Sequence, residues 1–126
     1  GGRMKPKFRA YSETNKDMVS WGNLLNLNVS NIFRNPEMCG MVLMQSTGLH
    51  DKNGVEIYEG DILKVRDSYL AVYVVEWYRD KFMWVLRYQK DKNQYFPFYN
   101  ISGPFFEDLE LLGNIYEKPE LLEGVE

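Results

Sequence analysis

The feature that most constrains the fold is an alternation of apolar and polar residues with a period of two. Such alternation is typical of β-strands, because successive side chains of a strand point to opposite faces of a sheet. The clearest case lies in the middle of the chain, where a turn at Arg79-Asp80 would fold a hairpin. That turn pairs Trp77 with Phe82 and Val75 with Trp84 on one wholly apolar face. A four-residue loop would preserve this pairing, so the sequence specifies the faces of the hairpin more firmly than its turn.

The same period predicts the other strands. An N-terminal hairpin is expected from strands over 7–11 and 17–21, separated by the polar residues 12–16. Further strands are predicted where Leu25, Leu27 and Val29 alternate with polar residues, and over 41–45, 61–66 and 108–112. Pro119 is expected to begin a short helix. About eight short strands with at most one or two short helices indicate a mainly β protein with a small, strongly bent sheet or barrel.

Length and composition are those of one globular domain. The chain has 126 residues, of which 44% are hydrophobic and 15% aromatic, enough to build a core. Gly1-Gly2-Arg3 reads as a remnant of an expression tag before Met4, so we expect a single domain over 4–126. No apolar run approaches the roughly 18 residues that a transmembrane helix needs, and no membrane partner is expected.

The charge balance argues against one class of function. The formal net charge is −3, whereas proteins that coat nucleic acid without specificity usually carry a basic excess. A general DNA-coating role is therefore disfavoured, although a basic patch on one face stays open.

The single cysteine and the single histidine exclude several kinds of site. Because Cys39 is the single cysteine, the chain can form neither an intrachain disulfide nor a cysteine-rich zinc site. The absence of disulfides suits a reducing cytoplasm. One His50 cannot supply the two or three imidazoles of a typical copper or zinc centre from one chain. We expect Cys39 to be a small buried apolar residue and His50 to lie on the surface or in a turn.

Four segments resemble the YopX family, which comprises small proteins encoded by bacteriophages and prophages. Residues 45–64 read QSTGLHDKNGVEIYEGDILK, which is similar to the hallmark of that family. The opening KFRAY at 7–11, the KDM at 16–18 and the closing GNIYEKPELL at 113–122 also match in order and spacing.

The resemblance implies a fold and an origin but no chemistry. It implies an SH3-like small barrel with an N-terminal β-hairpin extension and short helical turns. It also implies a phage or prophage accessory protein in the cytoplasm of a bacterial host. The family has no established catalytic residues, so none can be transferred, and we expect no cofactor.

The hallmark segment has two interpretations. As a binding loop, its acidic side chains would hold a cation; as a structural element, its residues would specify the fold. The structural interpretation assigns turn conformations to the glycines and a turn-capping carboxylate to Asp61, which would accept backbone N–H groups. Under it, Leu49, Ile57, Tyr58 and Ile62 enter the core. The residues of this fold-specifying turn are Gly48, Asn53, Gly54, Gly60 and Asp61.

The sequence gives little support to two further kinds of site in this segment, a calcium loop and a catalytic pair of acids. A calcium loop fails on spacing, because Leu49 and Gly60 would occupy ligand positions that require acids. The acids Glu56, Glu59 and Asp61 are expected to line a solvated edge. A small hydrolase centred on His50 or on these acids is the third functional hypothesis.

Aromatic side chains provide the leading functional hypothesis, a non-enzymatic protein-binding or adaptor module. It would recognise a host or phage protein, and homo-oligomers are an additional possibility. A subunit interface or a cover for the barrel end is the structural alternative. The candidate binding surface consists of Trp77, Trp84, Tyr95, Phe98 and Tyr99.

The alternative hypothesis is a single-stranded nucleic-acid-binding barrel. The same aromatics would stack on bases, and Lys81, Lys90 and Lys92 would contact phosphates.

Overall fold

The computed structural model describes residues 5–65, 72–98 and 109–123. The chain forms two compact units, the first ending at Ser46 and the second beginning at Thr47. Residues 1–3 lie outside the described part, and the single domain over 4–126 stays a prediction.

The first unit contains the expected N-terminal hairpin. Strand β1 (Phe8–Ser12) pairs antiparallel with β2 (Asp17–Val19) on one side. On its other side it pairs antiparallel with β3 (Met41–His50), with Ala10 opposite Leu43. The period-two pattern therefore located these strands correctly.

The strand predicted around Leu25 and Leu27 is wrong, because a helical segment occupies this part of the chain. It comprises α1 (Trp21–Leu24), α2 (Val29–Arg34) and a 3₁₀ turn (Pro36–Cys39). Ser20 Oγ accepts a hydrogen bond from the backbone N–H of Asn23, and Asn28 Oδ1 accepts one from that of Asn31. These two caps begin the helices, and Asn28, one of the polar residues in the apparent strand alternation, is in fact a helix-capping residue.

A small core holds the first unit together. Ala10, Leu24 and Ile32 are buried, and partly buried apolar side chains pack around them. Phe8 contacts Trp21 at 6.0 Å and Phe33 at 4.9 Å between ring centroids. The helical segment thus packs on the hairpin through aromatic edges.

The second unit is built on an antiparallel five-stranded sheet of order β8-β7-β6-β5-β9. Its strands are β5 (Asp61–Val65), β6 (Val72–Tyr78), β7 (Met83–Tyr88), β8 (Tyr95–Pro97) and β9 (Leu109–Asn114). The end of β3 pairs with β4 (Glu56–Tyr58), and a 3₁₀ turn (Pro119–Leu122) follows β9. The sheet curls into a half-barrel, and the predicted mainly β, small-barrel class is confirmed.

The predicted register of the β6–β7 hairpin is wrong by two residues. Trp77 lies opposite Trp84 and Val75 opposite Leu86, whereas the sequence pattern paired them with Phe82 and Trp84. The four-residue loop comprises residues 79–82 rather than 78–81, which alone would have kept Trp77 opposite Phe82; its 3₁₀ turn over 79–81 is closed by Phe82 at a φ of 51°. A two-residue shift leaves every side chain on its predicted face, so the alternation alone could not distinguish the two registers.

The core of the second unit lies against one face of this sheet. Ile57, Leu63, Leu86 and Leu109 are fully buried there. Phe98 joins this core with 8% of its surface exposed, so the prediction that it belongs to an exposed binding surface is wrong. Its apolar ring is more stable in the core than in water.

In the described part of the chain, no helix has both the length and the apolar character needed to span a bilayer.

Candidate binding surfaces of the β6–β8 hairpins

The turn between β3 and β4 is organised by a buried carboxylate. Asp51 Oδ1 accepts hydrogen bonds from the backbone N–H groups of Asn53 and Val55, each at 2.9 Å. Its Oδ2 accepts one from the N–H of Leu111 on β9, also at 2.9 Å. Burial opposes ionisation, but the three backbone donors outweigh it, so the pKa of Asp51 lies below its ordinary value.

This role of Asp51 was not predicted from the sequence. Its signal was the position of an aspartate two residues before Asn53-Gly54, which is typical of an Asx turn. Gly54 adopts a φ of 80°, and Gly48 and Gly60 are also left-handed at 79° and 85°. These conformations support the fold-specifying interpretation of the hallmark segment.

The side chain of Asp61 bonds to a residue that precedes it in the chain. Its Oδ2 accepts a 2.7 Å hydrogen bond from the N–H of Tyr58, three residues earlier. The side chain is buried, with 1% of its surface exposed, so its placement on a solvated edge is wrong. The buried carboxylate thus accepts a hydrogen bond from a backbone donor of its own turn, as the structural interpretation of the hallmark segment predicts.

Within the part of the chain that the structure describes, the other reactive side chains do not come together in a catalytic group. His50 is exposed at the end of β3, whereas Ser46 is buried. No cluster of three His, Cys, Asp or Glu residues suited to a metal ion occurs within 5–65, 72–98 and 109–123. Cys39 is exposed, so the prediction of a buried thiol is wrong; it ends the surface 3₁₀ turn that Pro36 begins.

The first candidate surface, the tryptophan pair, lies at the loop end of the β6–β7 hairpin. The rings of Trp77 and Trp84 meet edge to face, with centroids 5.3 Å apart and planes inclined by 72°. Trp84 is partly buried against the core, whereas 41% of the surface of Trp77 is exposed. Phe82 in the adjoining loop is 79% exposed. Trp77 is thus held at the surface by packing on one side only.

The second candidate surface, the tyrosine–arginine stack, lies on the opposite face of the same strands. The Arg87 guanidinium lies 4.9 Å from the ring centroid of Tyr78 and 5.1 Å from that of Tyr95. The two tyrosine rings are 5.1 Å apart. Because Trp77 and Tyr78 are consecutive in β6, alternation places the tryptophan pair and this stack on different faces.

Hydrogen bonds fix the stack in place. Arg87 Nε donates to Glu76 at 2.9 Å, and its second terminal nitrogen lies 3.5 Å from the other carboxylate oxygen. Arg87 also donates to the carbonyl of Lys92 at 3.1 Å. Lys81 Nζ donates to the hydroxyl of Tyr95 at 3.0 Å. The rings are therefore pre-organised before any ligand arrives.

The structure divides the predicted binding residues among several places. Trp77 and Trp84 come together, Tyr95 lies in the stack on the other face, and Phe98 is in the core. Tyr99 lies outside the described residues. Of the predicted basic contacts, Lys81 joins Tyr95, and the exposed Lys90 and Lys92 belong to the β7–β8 loop. Tyr78 and Arg87 were missed because cation–π stacking depends on cross-strand contacts.

The class of protein follows from the curled sheet and the two aromatic surfaces: a small mainly β protein without a recognisable catalytic group in its described residues. Comparison with known sequences then identifies its family. Residues 7–123 match the YopX protein family, so the chain belongs to that family, as the hallmark segment predicted.

Solved structures that are similar to this chain include two bacterial proteins. Protein EF1440 from Enterococcus faecalis has 25% sequence identity and a TM-score of 0.57, over 96% of this chain and 100% of that chain. Protein yopX from Bacillus subtilis has 18% identity and a TM-score of 0.51, over 95% and 98%. The second likeness supports the fold alone. No curated protein matches this chain.

Proposed function

We propose that this YopX-family chain is a non-enzymatic module that binds a protein partner through the tryptophan pair and Phe82. We also propose that it serves a phage or prophage in the cytoplasm of a bacterial host. The similar structures from two bacteria support a bacterial setting.

The observation that carries the proposal is the exposure of large aromatics at one end of a rigid hairpin. Trp77 and Phe82 expose 41% and 79% of their surfaces, and Trp77 is supported by the edge of Trp84. Tryptophan side chains supply much of the binding energy of protein interfaces, because they bury a large rigid surface at small entropic cost. The hairpin loop also projects Phe82 where a partner can reach it.

Affinity capture from a nuclease-treated lysate of a Bacillus or Enterococcus host, read by mass spectrometry, tests this proposal. The captured protein would be purified, and its affinity measured directly by titration calorimetry. We expect Trp77→Ala and Phe82→Ala each to weaken binding by about tenfold or more. Val55→Ala is the matched control, since Val55 is also apolar and 45% exposed but lies in the β3–β4 turn. An affinity that neither aromatic substitution changes would contradict the proposal.

A second candidate function, single-stranded nucleic-acid binding, is favoured by the tyrosine–arginine stack. Two pre-organised tyrosine rings form a platform of the kind on which bases stack. Residues 72–98 carry five basic and three acidic side chains, although the whole chain has a net charge of −3. The positive charge is thus concentrated in the segment that carries the platform, which would favour phosphate contacts.

Fluorescence anisotropy of a labelled oligothymidine at several salt concentrations tests this second candidate. We expect the logarithm of affinity to fall by about 0.7 per phosphate contact for each unit of log salt concentration. Lys81→Ala and Lys92→Ala would each reduce that slope, whereas Lys5→Ala, an exposed lysine of the first unit, would not. Affinity that is independent of salt, or unchanged in Tyr95→Ala, would exclude this function.

A further inference from the structure

The helical segment (Trp21–Cys39) has an unusual surface for this chain. Four of its large apolar side chains are substantially exposed: Leu25, Leu27, Phe33 and Met38, at 51%, 45%, 38% and 84%. The same segment contains one arginine and one glutamate, although 26% of the whole chain is charged. Depletion of charge with retention of Met, Phe and Leu is characteristic of the centre of a protein–protein interface.

This surface has a concave part. A cavity of about 330 Å³ is lined by Asn31, Arg34, Asn35, Met38 and Cys39. Met38 lines the cavity and is also the most exposed large apolar side chain among the described residues. The surface therefore offers both a pocket and a flexible apolar group of the kind that fills irregular pockets.

The two charges of the segment are complementary to each other. Arg34 ends α2 and Glu37 lies in the 3₁₀ turn, and both are exposed. In a two-fold symmetric contact, residue i of one copy meets residue j of the other, and j meets i. Arg34 and Glu37 therefore supply two reciprocal ion pairs when two copies face each other.

We propose that a second copy of this chain docks on the helical segment, with Met38 of each copy in the cavity of the other. Charge complementarity favours this occupant, because Glu37 is the neighbour of Met38 and would meet Arg34, which lines the cavity of the other copy. An acidic or basic partner would find no net opposite charge here. The proposal uses residues of the first unit and is independent of the protein-binding function proposed for the β6–β7 hairpin.

Sedimentation equilibrium of the full chain measures this association directly. We expect a dimer for the native sequence at micromolar concentrations and about 100-fold weaker association for Met38→Glu. Phe82→Glu is the matched control, because Phe82 is similarly exposed at 79% but lies in the second unit, and it should leave the dimer intact. Circular dichroism establishes that each variant is folded.

Charge reversal with rescue distinguishes this reciprocal contact from non-specific hydrophobic association. Arg34→Glu and Glu37→Arg should each weaken dimerisation by about tenfold, because like charges then face each other. The double variant R34E/E37R restores both reciprocal pairs and should recover the native affinity.

Cross-linking gives a separate readout: Cys39 is the single cysteine, so a bismaleimide can join two chains only through it. Joined chains are expected for the native sequence and not for Met38→Glu.

Two results would overturn the proposal. The first is a monomeric native chain at micromolar concentrations. The second is a dimer that persists in Met38→Glu and in both single charge reversals, which would place the interface elsewhere. Loss of partner binding in Trp77→Ala with the dimer intact would separate this proposal from the proposed function.

Discussion

At the scale of the residue, Asp51 shows how one side chain connects parts of the chain that are far apart in sequence. Its carboxylate bonds to Asn53 and Val55 in its own turn and to Leu111, sixty positions later. The local bonds shape the β3–β4 turn, and the distant bond ties that turn to β9. A single buried anion thus replaces water for three backbone donors.

Replacement of Asp51 by alanine should destabilise the protein strongly. The substitution leaves backbone donors without an acceptor in a site where the side chain is 93% buried. We expect a loss of about 3 kcal/mol in the free energy of unfolding, measured by urea denaturation at neutral pH. Asp91→Ala is the control: Asp91 bonds to its own loop in the same way but is exposed, and we expect a loss below about 1 kcal/mol.

The Asp51 carboxylate should also make stability depend on pH. Its folded pKa is below the ordinary 3.8, so the ionised form stabilises the native state above that value. This contribution is lost as the pH falls through the folded pKa, where Asp51 becomes protonated. The difference in unfolding free energy between the native sequence and Asp51→Asn should therefore shrink in acid. A difference that stays constant from neutral pH to acid would contradict this assignment.

Three glycines should respond differently to alanine. Gly40 has a φ of 65°, and a Cβ there would lie 2.8 Å from Thr14 Oγ1, so both strain and a clash oppose the substitution. Gly54 has a φ of 80°, but a Cβ there would meet no neighbouring atom. Backbone strain alone therefore opposes alanine at this position, and it should lower the free energy of unfolding by about 1 kcal/mol. Gly22 lies in α1 without neighbours, and alanine should be neutral or slightly stabilising. Thermal unfolding should rank the variants Gly40, Gly54, Gly22 from least to most stable; another order would contradict the account.

At the scale of the element, the β6–β7 hairpin combines a strained loop with an exposed aromatic. Phe82 adopts a φ of 51°, a conformation that costs a non-glycine residue energy, while 79% of its surface is exposed. Neither burial nor local preference accounts for a phenylalanine at this position. The arrangement is that expected where binding, rather than stability, requires the side chain.

Glycine at position 82 should therefore stabilise the protein and impair its function. Phe82→Gly relieves the strain, and we expect the free energy of unfolding to rise by about 1 kcal/mol. The same variant should lose affinity for the captured protein partner, because the exposed ring is gone. Phe82→Ala is the comparison, since it removes the ring but keeps the strain. A Phe82→Gly variant less stable than Phe82→Ala would contradict the strain argument.

At the scale of the whole molecule, the chain consists of two compact units, each with its own core. The exposed apolar side chains are distributed over both, with the charge-poor group in the helical segment and the aromatic group on the β6–β7 hairpin. The first unit thus carries the surface for which we propose self-association, and the second unit carries the tryptophan pair for which we propose partner binding.

Self-association should make thermal stability depend on protein concentration. A contact formed only by the native state stabilises it by mass action, so the Tm of the native sequence should rise with concentration. Met38→Glu removes the contact, and its Tm should not change over the same range. Differential scanning calorimetry at several concentrations measures both, and equal behaviour of the two chains would count against the dimer.

Much of this fold could be read from local sequence. Alternation located most of the strands and the faces of the β6–β7 hairpin, because burial on one side of a sheet imposes a period of two on the sequence. Asn53-Gly54 located a turn, because a left-handed backbone favours glycine. The hallmark segment identified the family. These features depend on neighbours along the chain, and the sequence records them directly.

What depends on distant neighbours was decided by tertiary structure alone. Polar alternation around Leu25 was overridden by the caps of Ser20 and Asn28 and by packing on the hairpin. The two-residue register shift, the bond from Asp51 to Leu111 and the stack around Arg87 each join separate strands. Alternation states which face a side chain occupies but not which partner it meets there. Partners are selected by packing and hydrogen bonding across strands, and these depend on the closed sheet.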